Sequence, residues 1–288
     1  MDSSNSYYGH NSILAEYVGR RTAPVIWGHV QHGWTVADPF PAHRVYPGFG
    51  KFVWSRTNAA FAVAAGVGSV TPIGAPFLYL LEQTEDVAPV AGSVLVYPFH
   101  GWENDPIVGT HDTLIAELLA EYGSQVTVCL YWLEYEDAKV RTAYEDAGFR
   151  VITHGHRDGD PQFLRRQLAE LQQHETIVSN RISTALWYGG AVGRSLRVFG
   201  SVFGIVSDDN RESFGAMQRR RWPEVCADGV GAERAKELAG IELGIEFLMQ
   251  PRDLEAVLGW TGLRLRSGSA LKAIGETRRT VRRLVERS

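Results

Sequence analysis

Residues 175–200, Glu-Thr-Ile-Val-Ser-Asn-Arg-Ile-Ser-Thr-Ala-Leu-Trp-Tyr-Gly-Gly-Ala-Val-Gly-Arg-Ser-Leu-Arg-Val-Phe-Gly, decide the fold of this chain. They read as a short apolar strand, a polar turn, a helix of small residues and a second apolar strand. The turn, Ser179 to Thr184, sets hydroxyls and backbone N–H groups at a helix start. A helix N-terminus offers unpaired donors and a partial positive charge, so it suits an anion such as phosphate.

The same alternation extends upstream through residues 91–200. Ser93–Pro98, Gln125–Trp132 and Arg150–Thr153 read as strands. Helical spacing runs over Asp112–Glu121, over Glu136–Ala147 ending at Gly148, and from about Pro161 to Gln173. Strands alternating with helices of this length imply right-handed crossovers and a parallel sheet covered on both faces. The expected class is therefore α/β and Rossmann-like.

Residues 7–90 look like a smaller α/β piece. A helix is expected over Tyr8–Val18 and strands over Pro24–Val30 and Lys51–Ser55. A helix over Thr57–Ala65 follows, then Val70–Gly74, with Gln83–Gly92 as linker. Beyond Ser207 the pattern turns helical, with candidates at Ala232–Leu238 and Asp253–Leu258. The expected organisation is a reduced N-terminal lobe (1–90), a Rossmann-like lobe (91–261) and a basic C-terminal helix (262–288). That last segment carries eight Lys and Arg against Glu276 and Glu286, with Leu271, Ile274, Val281, Leu284 and Val285 between them. Such a helix suits an anionic membrane surface, and equally a solvated terminal helix packed by its apolar residues.

Composition sets outer bounds. A chain of 288 residues with 44% hydrophobic and 22% charged residues is ordinary for a globular protein with a sizeable core. A net charge of -4 gives no overall pull toward nucleic acid. Cys129 lies inside an apolar run and Cys226 is far from it, so a reduced, buried thiol is expected rather than a disulfide or a metal pair. With no signal peptide and no spanning segment, a cytoplasmic location is the default expectation.

In open α/β sheets, ligands sit beyond the carboxyl ends of the strands. The polar residues expected there are His29, Gln31 and His32; His100, Trp102, Glu103 and Asp105; Glu134; His154, His156, Arg157 and Asp158; and Ser179, Asn180, Ser183 and Thr184. Eight of the nine histidines fall at or before His156. Neutral histidine can serve as a base near pH 7, and its protonated form can hold phosphate. His29 and His154 fit equally well as residues that cap strands. The spacing matches no metal pattern. Neither Gly-x-Gly-x-x-Gly, a P-loop nor Gly-x-Ser-x-Gly occurs, which disfavours dinucleotide oxidoreductases, NTPases and α/β-hydrolases.

The order of short motifs resembles the GT-B glycosyltransferases, in particular the bacterial surface and capsular polysaccharide branch with its sialyl- and glycerophosphotransferase types. The resemblance rests on Gly28-His29-Val30-Gln31-His32-Gly33-Trp34 and Ile73-Gly74-Ala75-Pro76-Phe77 in the first half. In the second it rests on Ser179-Asn180 with Ser183-Thr184-Ala185, on Tyr188 to Arg194, and on Glu242-Leu243-Gly244 and Leu258-Gly259-Trp260. It implies two Rossmann-like lobes, an acceptor (a glycan or a lipid-linked group) on the N-terminal side and a nucleotide-sugar donor on the other. The implied activity is metal-independent glycosyl transfer with no bound cofactor. Carried onto this chain, it implies His32 as base or acceptor contact, and His100 with Ser183 and Thr184 facing the donor phosphates. Glu103 or Asp158 would hold ribose or act as base. Ser179, Asn180 and His154 complete the expected donor side. The N-terminal half is short for such a lobe, which leaves open a binding or scaffold protein, an epimerase-like hydrolase, or a second subunit that completes the wall.

Overall fold

The computed structural model describes residues 3–40, 49–101, 107–205, 211–262 and 264–265. Two parallel sheets organise it. The first contains β1 (Gly28–Val30), β2 (Gly50–Val53) and β3 (Thr71–Pro72) in that order. The second contains β4 (Val90–Val96), β6 (Val126–Cys129), β7 (Arg150–Ile152), β8 (His174–Ser179) and β9 (Ser195–Val198), ordered β7-β6-β4-β8-β9 and parallel throughout. The expected Rossmann-like α/β class is thus observed. Short β5 (Ile107–Val108) and β10 (Gly204–Ile205) form an antiparallel pair that the sequence pattern did not reveal.

The strand order follows from the crossovers. From β4 the chain passes through α4 (His111–Tyr122) to β6, and through α5 (Trp132–Glu136) and α6 (Ala138–Asp146) to β7. Helix α7 (Phe163–Gln173) then returns it to β8 on the other side of β4, and α8 (Thr184–Ala191) leads to β9. The topological switch point therefore lies between β4 and β8, where this architecture opens a ligand crevice. The apolar run read as one strand to Trp132 breaks at Cys129, and Trp132 opens α5.

Alternating side chains bury both faces of the large sheet. Leu95, Tyr97, Cys129, Ile177 and Leu196 join one core, whereas Val94, Val96, Val126, Val128 and Val178 join another under α4 and α6. The first of these cores does not stop at the sheet. It continues without a break through α1 (His10–Tyr17), α3 (Pro76–Leu81), Phe52 and Trp54 of the small-sheet side, and through α11 (Ala232–Leu243) and α12 (Pro251–Leu258). Phe77 of α3 stacks on Tyr188 of α8 with centroids 4.0 Å apart, which joins the two sheet systems directly. Helix α2 (Arg56–Ala64), capped by Ser55, covers the small sheet, and α9 (Arg211–Arg221) and α10 (Pro223–Ala227) lead into α11.

The glycines of α8 have a packing role. A Cβ on Gly189 would meet Ile177 Cγ1 at 2.5 Å, and one on Gly190 would meet Ala235 O at 2.8 Å. Only glycine lets α8 lie this close to β8 and α11 together, and so fixes where its N-terminus points. The basic segment 262–288 lies outside the described residues except for Gly262, Arg264 and Leu265. Among the described residues no helix is long and apolar enough to cross a membrane.

Candidate functional site

A cavity of about 680 Å³ opens at the carboxyl ends of both sheets, on the switch point. Loops after β1, β4, β6, β7 and β8 wall it, and Tyr8 reaches it from the N-terminal 3₁₀ segment Ser3–Gly9. Tyr8 has a φ of 57°, in the left-handed region that costs a non-glycine residue energy. Its amide donates to Arg157 O at 2.8 Å, and burial pushes its phenol up to about 12.

The β8–α8 loop brings a helix start to the cavity. Ser183 caps α8 by accepting from Leu186 N at 3.4 Å. Thr184 Oγ1 accepts from Trp34 N at 2.9 Å. Gln218, buried on α9, pins the loop through Ile182 N and Ile182 O, both at 3.2 Å. Arg181 lines the cavity with its guanidinium 4.4 Å from the centroid of the Phe99 ring. A fixed cation beside a capped helix start is a donor set for phosphate.

His100 stacks on Tyr131 with centroids 3.9 Å apart and planes 15° from parallel. Its Nδ1 lies 2.7 Å from Gly101 O, a carbonyl that can only accept, so the proton sits on Nδ1. Gly101 N in turn donates to Glu134 Oε1 at 3.1 Å. The other Glu134 oxygen is buried without a hydrogen-bond partner, and burial raises this carboxyl above its ordinary range. Deeper in, His154 Nε2 lies 2.9 Å from Tyr97 OH. Burial lowers His154 to about 4 and pushes the Tyr97 phenol well up, so both are neutral at pH 7. His32 lines the opposite wall, edge-on to Tyr7 at 5.9 Å.

Of the residues singled out from sequence, His32, His100, His154, Ser183 and Thr184 come together around the cavity. His29, Gln31, Glu134, His156 and Arg157 do not line it, and neither do Asn180, Ser179 and Asp158. Asn180 is fully buried behind the wall, where its Oδ1 accepts from Phe99 N at 2.7 Å and its Nδ2 donates to Ser201 O at 2.8 Å. It ties the end of β4 to the loop after β9. Ser179 is also fully buried, with a hydroxyl that finds no partner. Asp158 is exposed outside the lining, beside Arg157 at 3.9 Å. Trp102, Glu103 and Asp105 lie outside the described residues. Sequence reasoning passed over Tyr8, Trp34, Tyr97, Tyr131 and Arg181, all of which line the cavity. Only Trp34 and Arg181 carried a signal, as neighbours of His32 and Ser183 in the quoted motifs. Among the described residues no group of three His, Cys, Asp or Glu side chains is placed to hold a metal ion.

No family model matches the sequence, and no curated protein does. Among solved structures the chain is similar to the S. aureus MnaA–UDP co-structure. They share 12% identity over 81% of this chain and 67% of that one, with a TM-score of 0.40. It is also similar to UDP-GlcNAc 2-epimerase from Neisseria meningitidis bound to UDP-GlcNAc, at 14% identity over 92% and 71% of the two chains and a TM-score of 0.34. Both likenesses are loose, and the functional reading rests on the cavity itself.

Proposed function

We propose that the cavity binds a nucleotide sugar and that the chain is an enzyme transferring the sugar to an acceptor hydroxyl. The observation that carries this reading is the joining of Arg181 and the α8 N-terminus to histidine-bearing strand ends within one cavity. In the proposed reaction a histidine, His32 or His100, takes the proton of the acceptor hydroxyl as its oxygen attacks the anomeric carbon. The bond from that carbon to the phosphate oxygen breaks, and Arg181 with the N–H groups of α8 takes up the charge on the departing nucleotide. The first sheet would supply the acceptor side and the second the donor side. A glycan or lipid-linked acceptor, as in surface polysaccharide synthesis, fits the reading, as does peripheral membrane contact through the basic C-terminal segment.

One observation favours a second reading. The first sheet has strands of three, four and two residues, which leaves little surface for an acceptor. An epimerase or hydrolase acting on the nucleotide sugar alone needs none. Product analysis after incubation with a nucleotide sugar separates the two, because only transfer requires an added acceptor.

The test is calorimetric titration with UDP, GDP, dTDP and CMP. One of them is expected to bind, and Arg181→Ala is expected to weaken it by about tenfold or more. Arg181 is a cleaner target than Ser183, whose loss would uncap α8. Unchanged affinity in a folded Arg181→Ala protein removes the phosphate assignment, and no binding by any of the four removes the nucleotide reading.

A further inference from the structure

Three tryptophans meet at the cavity wall, and they are not equivalent. Trp187 and Trp222 are 0% and 4% exposed and serve as packing. Trp34, on the loop after β1, packs against both, with centroids at 5.7 Å and 5.1 Å and planes 65° and 64° apart, yet it lines the cavity. Its indole is held at a second point, since Trp34 Nε1 donates to Glu242 Oε2 at 3.0 Å. Glu242 is only 4% exposed. A carboxylate is costly to bury and is retained where it does specific work. Here it accepts from the indoles of both Trp34 and Trp222, with the Arg221 charge nearby, and so sets the Trp34 ring against its packed neighbour at the cavity wall.

The position of the ring is equally specific. Trp34 N donates to Thr184 Oγ1, the side chain of the first residue of α8, so the ring stands beside the helix start. A group esterified to a phosphate held there comes directly onto Trp34. Sugars present C–H groups on their ring faces and hydroxyls on the rim. An aromatic face, with its negative quadrupole, complements the polarised C–H face while leaving the hydroxyls to polar neighbours.

We propose that Trp34 is the platform for the sugar ring of the ligand, with Glu242 as the positioning residue that fixes the indole, an assignment that rests on the nucleotide-sugar reading above. Burial raises the Glu242 carboxyl, and the Trp34 indole N–H, the Arg221 charge and the Trp222 indole offset part of that rise.

The experiment titrates the wild type and its variants with UDP, GDP and dTDP and with their glucose-linked forms. Wild type is expected to bind one glucose-linked form about tenfold more tightly than its parent nucleotide. Trp34→Ala is expected to keep the nucleotide affinity and lose that advantage, and Trp34→Phe to keep most of it. Glu242→Gln, whose amide oxygen still accepts from the indole, is expected to behave as wild type, whereas Glu242→Ala loses part of the advantage with nucleotide affinity unchanged. Equal affinity of wild type for nucleotide and sugar nucleotide overturns the platform, as does an undiminished advantage in Trp34→Ala. Loss of nucleotide and sugar binding together in Trp34→Ala assigns the residue to the wall as a whole and also overturns it. Failure of wild type to bind any of the six ligands, together with failure to bind CMP, overturns the underlying nucleotide-sugar reading, and the platform with it.

Discussion

In the five-stranded sheet, Leu95 and Val96 point to opposite faces and are both fully buried, and each strand finds its hydrogen bonds in a neighbouring strand. In the three-stranded sheet the strands pair in the same way but over only two or three residues, and side-chain amides add to the ladder. Asn5 Nδ2 donates to Gly28 O and its Oδ1 accepts from Val30 N, both at 2.8 Å, so one side chain occupies the open edge of β1. Gln31, 1% exposed, accepts from Trp54 N at 3.0 Å and donates to Gly33 O at 2.9 Å. Trp54 Nε1 answers by donating to Gln31 O at 2.9 Å. The large sheet rests on apolar area, which is non-directional and redundant. The small one shares in that apolar core through Val30, Phe52 and Trp54 but leans in addition on a few directed hydrogen bonds from side-chain amides to its backbone groups.

Three measurements bear on that contrast. The largest effect is expected from Leu95→Ala, which leaves a void in the shared core and should cost about 2–5 kcal/mol in denaturant unfolding. A cost below about 1 kcal/mol would mean that apolar packing is not what holds this sheet. Next comes Gln31→Leu, which keeps the volume apolar but leaves the buried Trp54 N–H unpaired. About 1–3 kcal/mol is expected, and a neutral result would break the comparison on the small-sheet side. The smallest effect concerns pH. His10, at the start of α1 against Trp54, is fully buried, and neither of its ring nitrogens has a hydrogen-bond partner. Burial lowers it from 6.5 to about 3, and His32 adds to the shift. The unfolded chain therefore binds the proton first, and stability falls as pH drops below 6.5. A loss of about 1 kcal/mol between pH 7 and 5.5 is expected from this residue. His10→Phe should flatten that slope, and an unchanged slope would assign the acid sensitivity elsewhere.

How far the sequence could be read follows from the same contrast. Strands buried on both faces leave near-continuous apolar runs, so β4, β6 and β8 were visible before any coordinates. The run through Trp132 misled because Leu130, Tyr131 and Trp132 continue it into α5, where apolarity alone does not mark the end of a strand. The start of α8 was legible through Ser183, whose cap is local. Ser179 and Asn180 were not, since a polar residue that faces a ligand and one that closes a gap between buried loops look alike in one dimension. The Asn180 amide is taken up by Phe99 and Ser201, residues brought to it only by the tertiary fold. Tyr8 left no trace either, because its place in the wall depends on an N-terminal segment crossing from β1 to the loop after β7. The pairing of β5 with β10 joins two-residue strands far apart in sequence, and no periodicity can announce it.

Tyr188 belongs at once to the apolar core that runs beneath both sheets, through its stack on Phe77, and to the wall of the cavity. The outline that a ligand meets is consequently cast when the chain folds. Most of the entropy of ordering that wall is lost in folding and not at the moment of binding. Such a receptor selects as a mould does, by admitting or refusing a shape. A substitution deep under α3, remote from every loop, would then reach the ligand as a change of contour.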